Sequence, residues 1–381
     1  MKKEKREKKK LNWKQWIPVL FFVMIGAGCG IMIARFIDLS AESGRTLGQQ
    51  LMIMGGLILA MYLCSLVHVV VHEAGHLVFG LLTGYEFTSF RIGSFMWIKE
   101  DGRLKRKSFS LAGTGGQCLM SPPDLVNGKM PVFLYNMGGS IANLIVSLLC
   151  GILYALIGKV SLVSTILMIL VLVGIGSAVV NGIPMKLGVI NNDGCNAVAL
   201  KRNPEAASAF WFQMKVNGEI SKGKRLKEMP DEWFVVPSDE EMKDSLIAVK
   251  GVFCCNRLMD EQNFQEADRL MEHLLSLESG IVGVHRNLMI CDRIYCELIG
   301  ENRDEIIDSM WTKDLKKFMK SMKNFPSVIR TQYAYQLLAK DNRKKAEKIK
   351  TQFEKTAEKY PYPSDMQSER ELIEYANTKI Q

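Results

Sequence analysis

With 381 residues, 48% of them hydrophobic, and a formal net charge of +9, the chain is long enough for two or three domains. Nine cysteines, an odd and scattered set without a C-x-x-C pair, argue against a disulfide framework and suit a reducing compartment or lipid. Much of the positive charge sits in residues 2–10 and in Arg103, Lys105, Arg106 and Lys107, close to long apolar runs. That pattern marks the cytoplasmic side of a membrane rather than a nucleic-acid partner.

In chain order, Met1 to Lys10 is almost all charge and is followed by Trp13 and Trp16. Ile17 to Ile37 is apolar apart from Arg35, and about 20 such residues span a bilayer. The run is long for a secretory signal. It reads as a retained span, with 1–16 as a basic cytoplasmic segment and the two tryptophans at the interface. Asp38 to Gln50 is a polar loop, expected outside. The further spans are expected at 51–82, 130–158 and 160–183. The predicted fold class is mainly α. A polytopic membrane domain of four spans with a small β-hairpin occupies 17–200, a linker 201–240, and a cytoplasmic helical domain 241–381.

The far end of the second span carries Val70-Val71-His72-Glu73-Ala74-Gly75-His76-Leu77. This is an H-E-x-x-H pattern. On a helix, His72 and His76 lie one turn apart on one face, so both imidazoles can reach one metal ion. Glu73, beside the first histidine, is suited to take a proton from water at that metal and pass it to a leaving amine. The ligand types favour zinc. The pattern also arises by chance in unrelated helices. Ionisable groups in hydrocarbon-rich sequence are costly, however, and three within five residues are hard to explain as filler. His68, one turn earlier, is about 12 Å along the helix from His76. It reads as a packed histidine, with a supporting or substrate-path role as the functional alternative.

Phe87 to Leu111 is rich in β-branched and aromatic residues, with a turn signal at Glu100-Asp101-Gly102, and reads as a β-hairpin with a basic second strand. Gly113 to Gly116 matches no phosphate loop and reads as flexible backbone. The third span contains Gly138-Gly139-Ser140-Ile141-Ala142-Asn143, small residues that let helices approach closely. Asn143 in mid-span needs a hydrogen-bond partner. It is packing glue on one reading and a substrate or oxyanion contact on the other. Asn181-Gly182-Ile183-Pro184 ends the fourth span. No Asp or Glu occurs from Pro131 to Asn192, so Asp193 is the first acid after the last two spans and the best candidate for a third zinc ligand. An even span count brings it to the side of the membrane where His72 and His76 lie.

The remainder reads as helices with polar faces. Asn203 to Pro237 is expected to be a linker or strap. Similar segments around Asn263, Asn302 and Asn342 recur at spacings of 39 and 40 residues. Each is expected to be the turn of a helical hairpin, in tetratricopeptide-like stacking or, alternatively, an irregular helical bundle.

With these residues in place, about 50–200 of the chain resembles the site-2 protease family of intramembrane zinc metalloproteases. His72-Glu73-Ala74-Gly75-His76 is similar to its H-E-x-G-H form. Gly139 to Asn143 resembles its mid-segment ending in Asn. Asn181 to Pro184 with Asp193-Gly194 resembles its N-x-x-P and D-G element. The resemblance implies zinc held by His72, His76 and Asp193, with Glu73 as general base. It also implies a β-hairpin that presents substrate as an extended strand. Asn143, Asn181, Pro184 and His68 are the candidate substrate-contact residues. The implied activity is that of a zinc metalloendopeptidase, acting on membrane-tethered proteins or hydrophobic peptide precursors. The expected setting is a bacterial plasma membrane, with both termini cytoplasmic and a cytoplasmic protein partner for the C-terminal helices. The rival readings are a catalytically silent zinc-containing scaffold and a transporter. An intact Glu73 argues against the first, and the absence of an inverted repeat against the second.

Overall fold

The computed structural model describes residues 17–41, 44, 46–100, 102–109, 115–187 and 190–380. The basic N-terminal segment, Trp13 and Trp16, and part of the glycine-rich stretch lie outside the described residues. Contacts divide the described residues into two units. One takes the residues up to Thr83 together with Val132–Ala199. The other takes Gly84–Pro131 and Leu200 onward.

The first unit is helical: α1 (Ile17–Ala41), α2 (Leu47–Leu82), α3 (Val132–Ile157) and α4 (Leu162–Gly182). The short strands β5 (Lys186–Leu187) and β6 (Ile190–Asn191) pair with each other, and α5 (Asp193–Arg202) begins directly after them. Among the described residues, α2, α3 and α4 are long and apolar enough to cross a membrane, whereas the described apolar stretch of α1, Val23–Ile37, is shorter. Leu59, Leu63, Val67, Leu148 and Leu156 are exposed on these helices, the outward apolar surface that a lipid solvent favours. Helix α2 starts four residues before its apolar run. Thr46 Oγ1 accepts from the Gln49 backbone N–H and Gln49 Oε1 accepts from that of Thr46, a capping box that converts the end of a polar loop into a first turn. Helix α4 stops where Pro184 follows, since proline disfavours helical backbone in the residue before it.

Helix α4 packs against α1, α2 and α3. Cys29 and Ile33, Leu57 and Cys64, and Ile169 form the apolar centre of this unit. Where α2 crosses α3, a Cβ on Gly75 would run into the Gly138 carbonyl and sit 2.7 Å from the Ala142 Cβ. The crossing needs glycine for space, as small-residue helix contacts in membranes do.

The second unit joins a sheet to the C-terminal helices. The sheet has β1 (Glu86–Ile92), β2 (Phe95–Glu100), β3 (Arg103–Ser108) and β4 (Gly116–Ser121), all antiparallel, in the order β3-β2-β1-β4. The expected hairpin is its β2–β3 part, and Glu100 pairs with Arg103 across the turn. The sheet is larger than that hairpin for two reasons. Gly93, at φ +57, turns the chain between β1 and β2, a conformation glycine adopts freely. The strand after the glycine-rich stretch pairs with β1, a partner remote from it in sequence.

Residues 204–221, inside the expected linker, form α6 (Pro204–Ser221). Phe212, Val216 and Ile220 are buried four apart, a helical stripe that the surrounding Gly, Lys and Pro obscure. The rest comprises α7 (Ser245–Asp260), α8 (Phe264–Ser276), α9 (Gly283–Ile299), α10 (Asp304–Met310), α11 (Lys313–Ser321), α12 (Pro326–Ala334), α13 (Arg343–Ala357) and α14 (Pro363–Asn377). The three similar segments are the joints α7–α8, α9–α10 and the one before α13. Each contains a left-handed residue: Gln262 at φ +59, Asn302 at φ +54 and Asp341 at φ +42.

Candidate metal centre

The centre is built from α2, the start of α5 and the inner face of α3. His72 and His76 lie one turn apart on α2, both buried, with rings edge to face. His72 Nε2 and His76 Nε2 are 3.1 Å apart. Asp193 Oδ2 lies 3.0 Å from the first and 3.4 Å from the second. These three are the group among the described residues whose ligand atoms converge within 4.8 Å. Ligands about 2.0–2.1 Å from a tetrahedral ion stand about 3.3 Å from one another, so the spacing and donor types both fit zinc.

The other ring atoms have definite partners. His76 Nδ1 lies 2.7 Å from the Tyr135 carbonyl oxygen. A carbonyl only accepts, so Nδ1 carries the proton and Nε2 keeps its lone pair. His72 Nδ1 lies 3.4 Å from Asn143 Nδ2, Asn143 Oδ1 lies 3.1 Å from His68 Nδ1, and Asn143 Nδ2 donates to Ser177 Oγ at 2.9 Å. His68 Nε2 donates to the Leu170 carbonyl at 2.8 Å. His68 and Asn143 are both fully buried. They link α2, α3 and α4 behind the histidine pair.

A family model described as Peptidase family M50 matches residues 60–361. The chain belongs to peptidase family M50. No curated protein and no solved structure matches it. Membership implies an intramembrane metalloprotease, and members of the family are generally zinc enzymes. Family and apolar helices together make the chain a membrane protein. The matched range runs from α2 into the C-terminal helices, well past the 50–200 segment that carries the sequence resemblance.

In this M50 chain, Glu73 follows His72 and is half-buried. Burial alone would raise the Asp193 carboxyl, but hydrogen bonds with His72 and His76 outweigh it and hold it below the usual carboxylate range. Asn181 turns its amide back to the Ser177 carbonyl of its own helix at 2.9 Å, and Pro184 is exposed just beyond the end of α4.

Sequence reasoning gave no role to Asn192, and here the structure adds most. Asn192 Nδ2 donates to the carbonyls of Val180 and Ile183, at 2.7 and 2.6 Å. Its Oδ1 accepts from the backbone N–H groups of Met185 and Cys195, at 3.0 and 2.9 Å. One buried amide thus ties the end of α4 to the first turn of α5, where Asp193 stands. Asparagine before a helix start is a favoured N-cap, and that was the available signal. Gly194 completes the joint, because a Cβ there would collide with the Gly182 carbonyl. Asn192→Ala is expected to weaken zinc binding by about 10–100-fold, the usual cost of losing a group that orients a ligand. Competition with a fluorescent zinc chelator measures it; unchanged affinity would show that Asp193 does not depend on this tie.

Gly139 faces His72. A Cβ there would sit 2.5 Å from His72 Nδ1. Gly139→Val should therefore displace the imidazole and lower zinc content in a protein that still inserts and purifies, as metal analysis would report.

Proposed function

We propose that His72, His76 and Asp193 hold a zinc ion and that Glu73 is the general base of peptide-bond hydrolysis within or at the edge of the membrane. The convergence of three ligand atoms at near-tetrahedral spacing carries this reading. Zinc bound there supplies Lewis acidity, lowering the pKa of water toward neutral and polarising the scissile carbonyl. A Glu73 carboxylate oxygen accepts the proton lost by the attacking water and returns it to the nitrogen of the leaving amine. Tyr135, through its carbonyl, holds His76 in the tautomer that points a lone pair inward. Asn143 does the corresponding work for His72. With its amide turned half around, Oδ1 accepts from His72 Nδ1–H and from Ser177 Oγ–H in place of the donation to Ser177, and Nδ2 donates to the bare Nδ1 of His68, the arrangement that both histidine tautomers favour. Its burial favours this orienting role over substrate contact. His68 acts as the anchor of that amide, and Asn181 and Pro184 as parts of the turn that delivers Asp193.

The substrate is a membrane-tethered protein or a hydrophobic peptide precursor. A helical backbone shields its own carbonyls, so the cleaved segment must be extended, and the outer strands β3 and β4 offer edges for strand addition. We place the first span in α1, which gives four spans with both termini cytoplasmic, in a bacterial plasma membrane. The C-terminal helices form a tetratricopeptide-like domain that engages a cytoplasmic protein partner. A silent scaffold is not favoured, because a structural zinc site needs no base.

The test is hydrolysis of a membrane-tethered model peptide by the full chain in proteoliposomes. Cleavage should stop when zinc is stripped by a chelator and return when zinc is restored. Cleavage indifferent to the chelator would end the metalloprotease reading.

A further inference from the structure

The second unit contains a cavity of about 350 Å³ among the C-terminal helices, within the size range of small-ligand sites. Its polar lining holds two guanidinium groups and four carboxylates: Arg225, Arg330, Asp260, Asp292, Asp365 and Glu369. Both arginines are already committed. Arg225 pairs with Asp260 at 2.6 Å and with Glu371. Arg330 is 1% exposed, pairs with Asp292, approaches Glu369 at 3.2 Å, and stacks over the Tyr295 ring at 4.5 Å. Besides His285 Nδ1 and Arg330 Nε, which have no hydrogen-bond partner among the described residues, what remains is two acids. Among the described residues, Asp365 pairs with no cation and accepts no hydrogen bond, and Glu369 Oε2 lacks an aligned donor. The two acids stand four apart on α14 and therefore share its face.

We propose that this cavity binds an organic cation, an alkylammonium or guanidinium group whose charge lies between Asp365 and Glu369. The cavity is too large for a bare metal ion, and its lining also includes the apolar side chains Phe253 and Phe325, against which an alkyl stem can pack. An anion is disfavoured because each arginine faces two internal carboxylates, and of Arg330 only Nε is left without a partner among the described residues. The charge comes either from a lysine or arginine side chain of a peptide or from a free polyamine. Both present the same chemistry.

The state of the two acids agrees. Burial, helped by the charge of Asp260, pushes the Asp365 carboxyl up to about 7. Burial does the same to Glu369, against the pull of Arg330. The titratable groups around them are Asp260, Asp292, His285, Tyr295, Tyr360, Tyr362 and the two arginines, Arg225 and Arg330, both paired with carboxylates. A carboxyl with a raised folded-state pKa lends stability that is full below its unfolded value near 4 and is lost as pH rises through about 7. Asp365→Asn should therefore fold, and should raise the unfolding temperature at pH 8 but not at pH 4.

The experiment uses the full chain in detergent micelles at pH 8, titrated calorimetrically with spermidine and with a blocked trilysine peptide. Saturable binding to wild type, weakened about 10–100-fold in Asp365→Asn, supports the proposal. Spermidine alone then indicates a free polyamine, and the peptide alone a basic segment of a protein. No binding of either probe overturns the proposal, as does binding that Asp365→Asn leaves unchanged.

Discussion

Glu73→Gln is expected to lower peptide hydrolysis by about 10²–10⁴-fold, the usual contribution of a positioned general base, while zinc content stays at the wild-type level. The amide is nearly isosteric with the carboxylate and accepts no proton at neutral pH. Glu73 stands one residue after His72, about 100° around α2 from it, so its loss leaves the Nε2 pair and Asp193 where they are. Hydrolysis of a tethered peptide and metal analysis on the same preparation decide the matter. Zinc loss in this variant would make Glu73 a structural partner of the metal site instead. Retained cleavage would move the base elsewhere.

Removing Asp193 should have the opposite signature. Zinc sites of four ligands are worth about 10–16 kcal/mol, so an even share is about 3 kcal/mol, and Asp193→Ala is expected to weaken zinc about 10²-fold. His76→Ala should cost at least as much, because it also abandons the hydrogen bond to the Tyr135 carbonyl. Activity should fall with zinc occupancy in both variants and recover partly at high zinc. If Asp193→Ala kept its zinc while His76→Ala lost it, the third ligand would have to be another group. The 3.0 Å approach of Asp193 to His72 would then be only an ion pair.

Much of the membrane unit was legible because its physics is local. Apolar runs long enough to span, a spacing of four between His72 and His76, and a proline after α4 each act within one element. The ends of elements were less legible where a side chain caps the backbone: α2 begins earlier than its apolar run because Thr46 and Gln49 exchange hydrogen bonds. The sheet was read as a hairpin because β2 and β3 are joined by a short turn that sequence reveals. The pairing of β4 with β1 closes a longer loop and leaves no local trace. Helix α6 was hidden for a different reason: its buried positions, such as Phe212, Met214, Val216 and Gly218, are not confined to one face, and its flanks have the composition of a linker.

Sequence by itself determined which groups could bind a metal and which could move a proton, since those are properties of residue type and spacing along a helix. It also singled out Asp193 as the candidate for a third ligand by leaving no nearer acid. Only the tertiary structure decided where that carboxylate stands, because Asp193 meets His72 across 121 positions of chain. The same holds for Asn192 tying α4 to α5, for Asn143 reaching two histidines, and for the acidic cavity among the C-terminal helices. Each depends on hydrogen bonds or exclusions between elements that become neighbours only when the helices pack, and no periodicity in the sequence encodes that meeting.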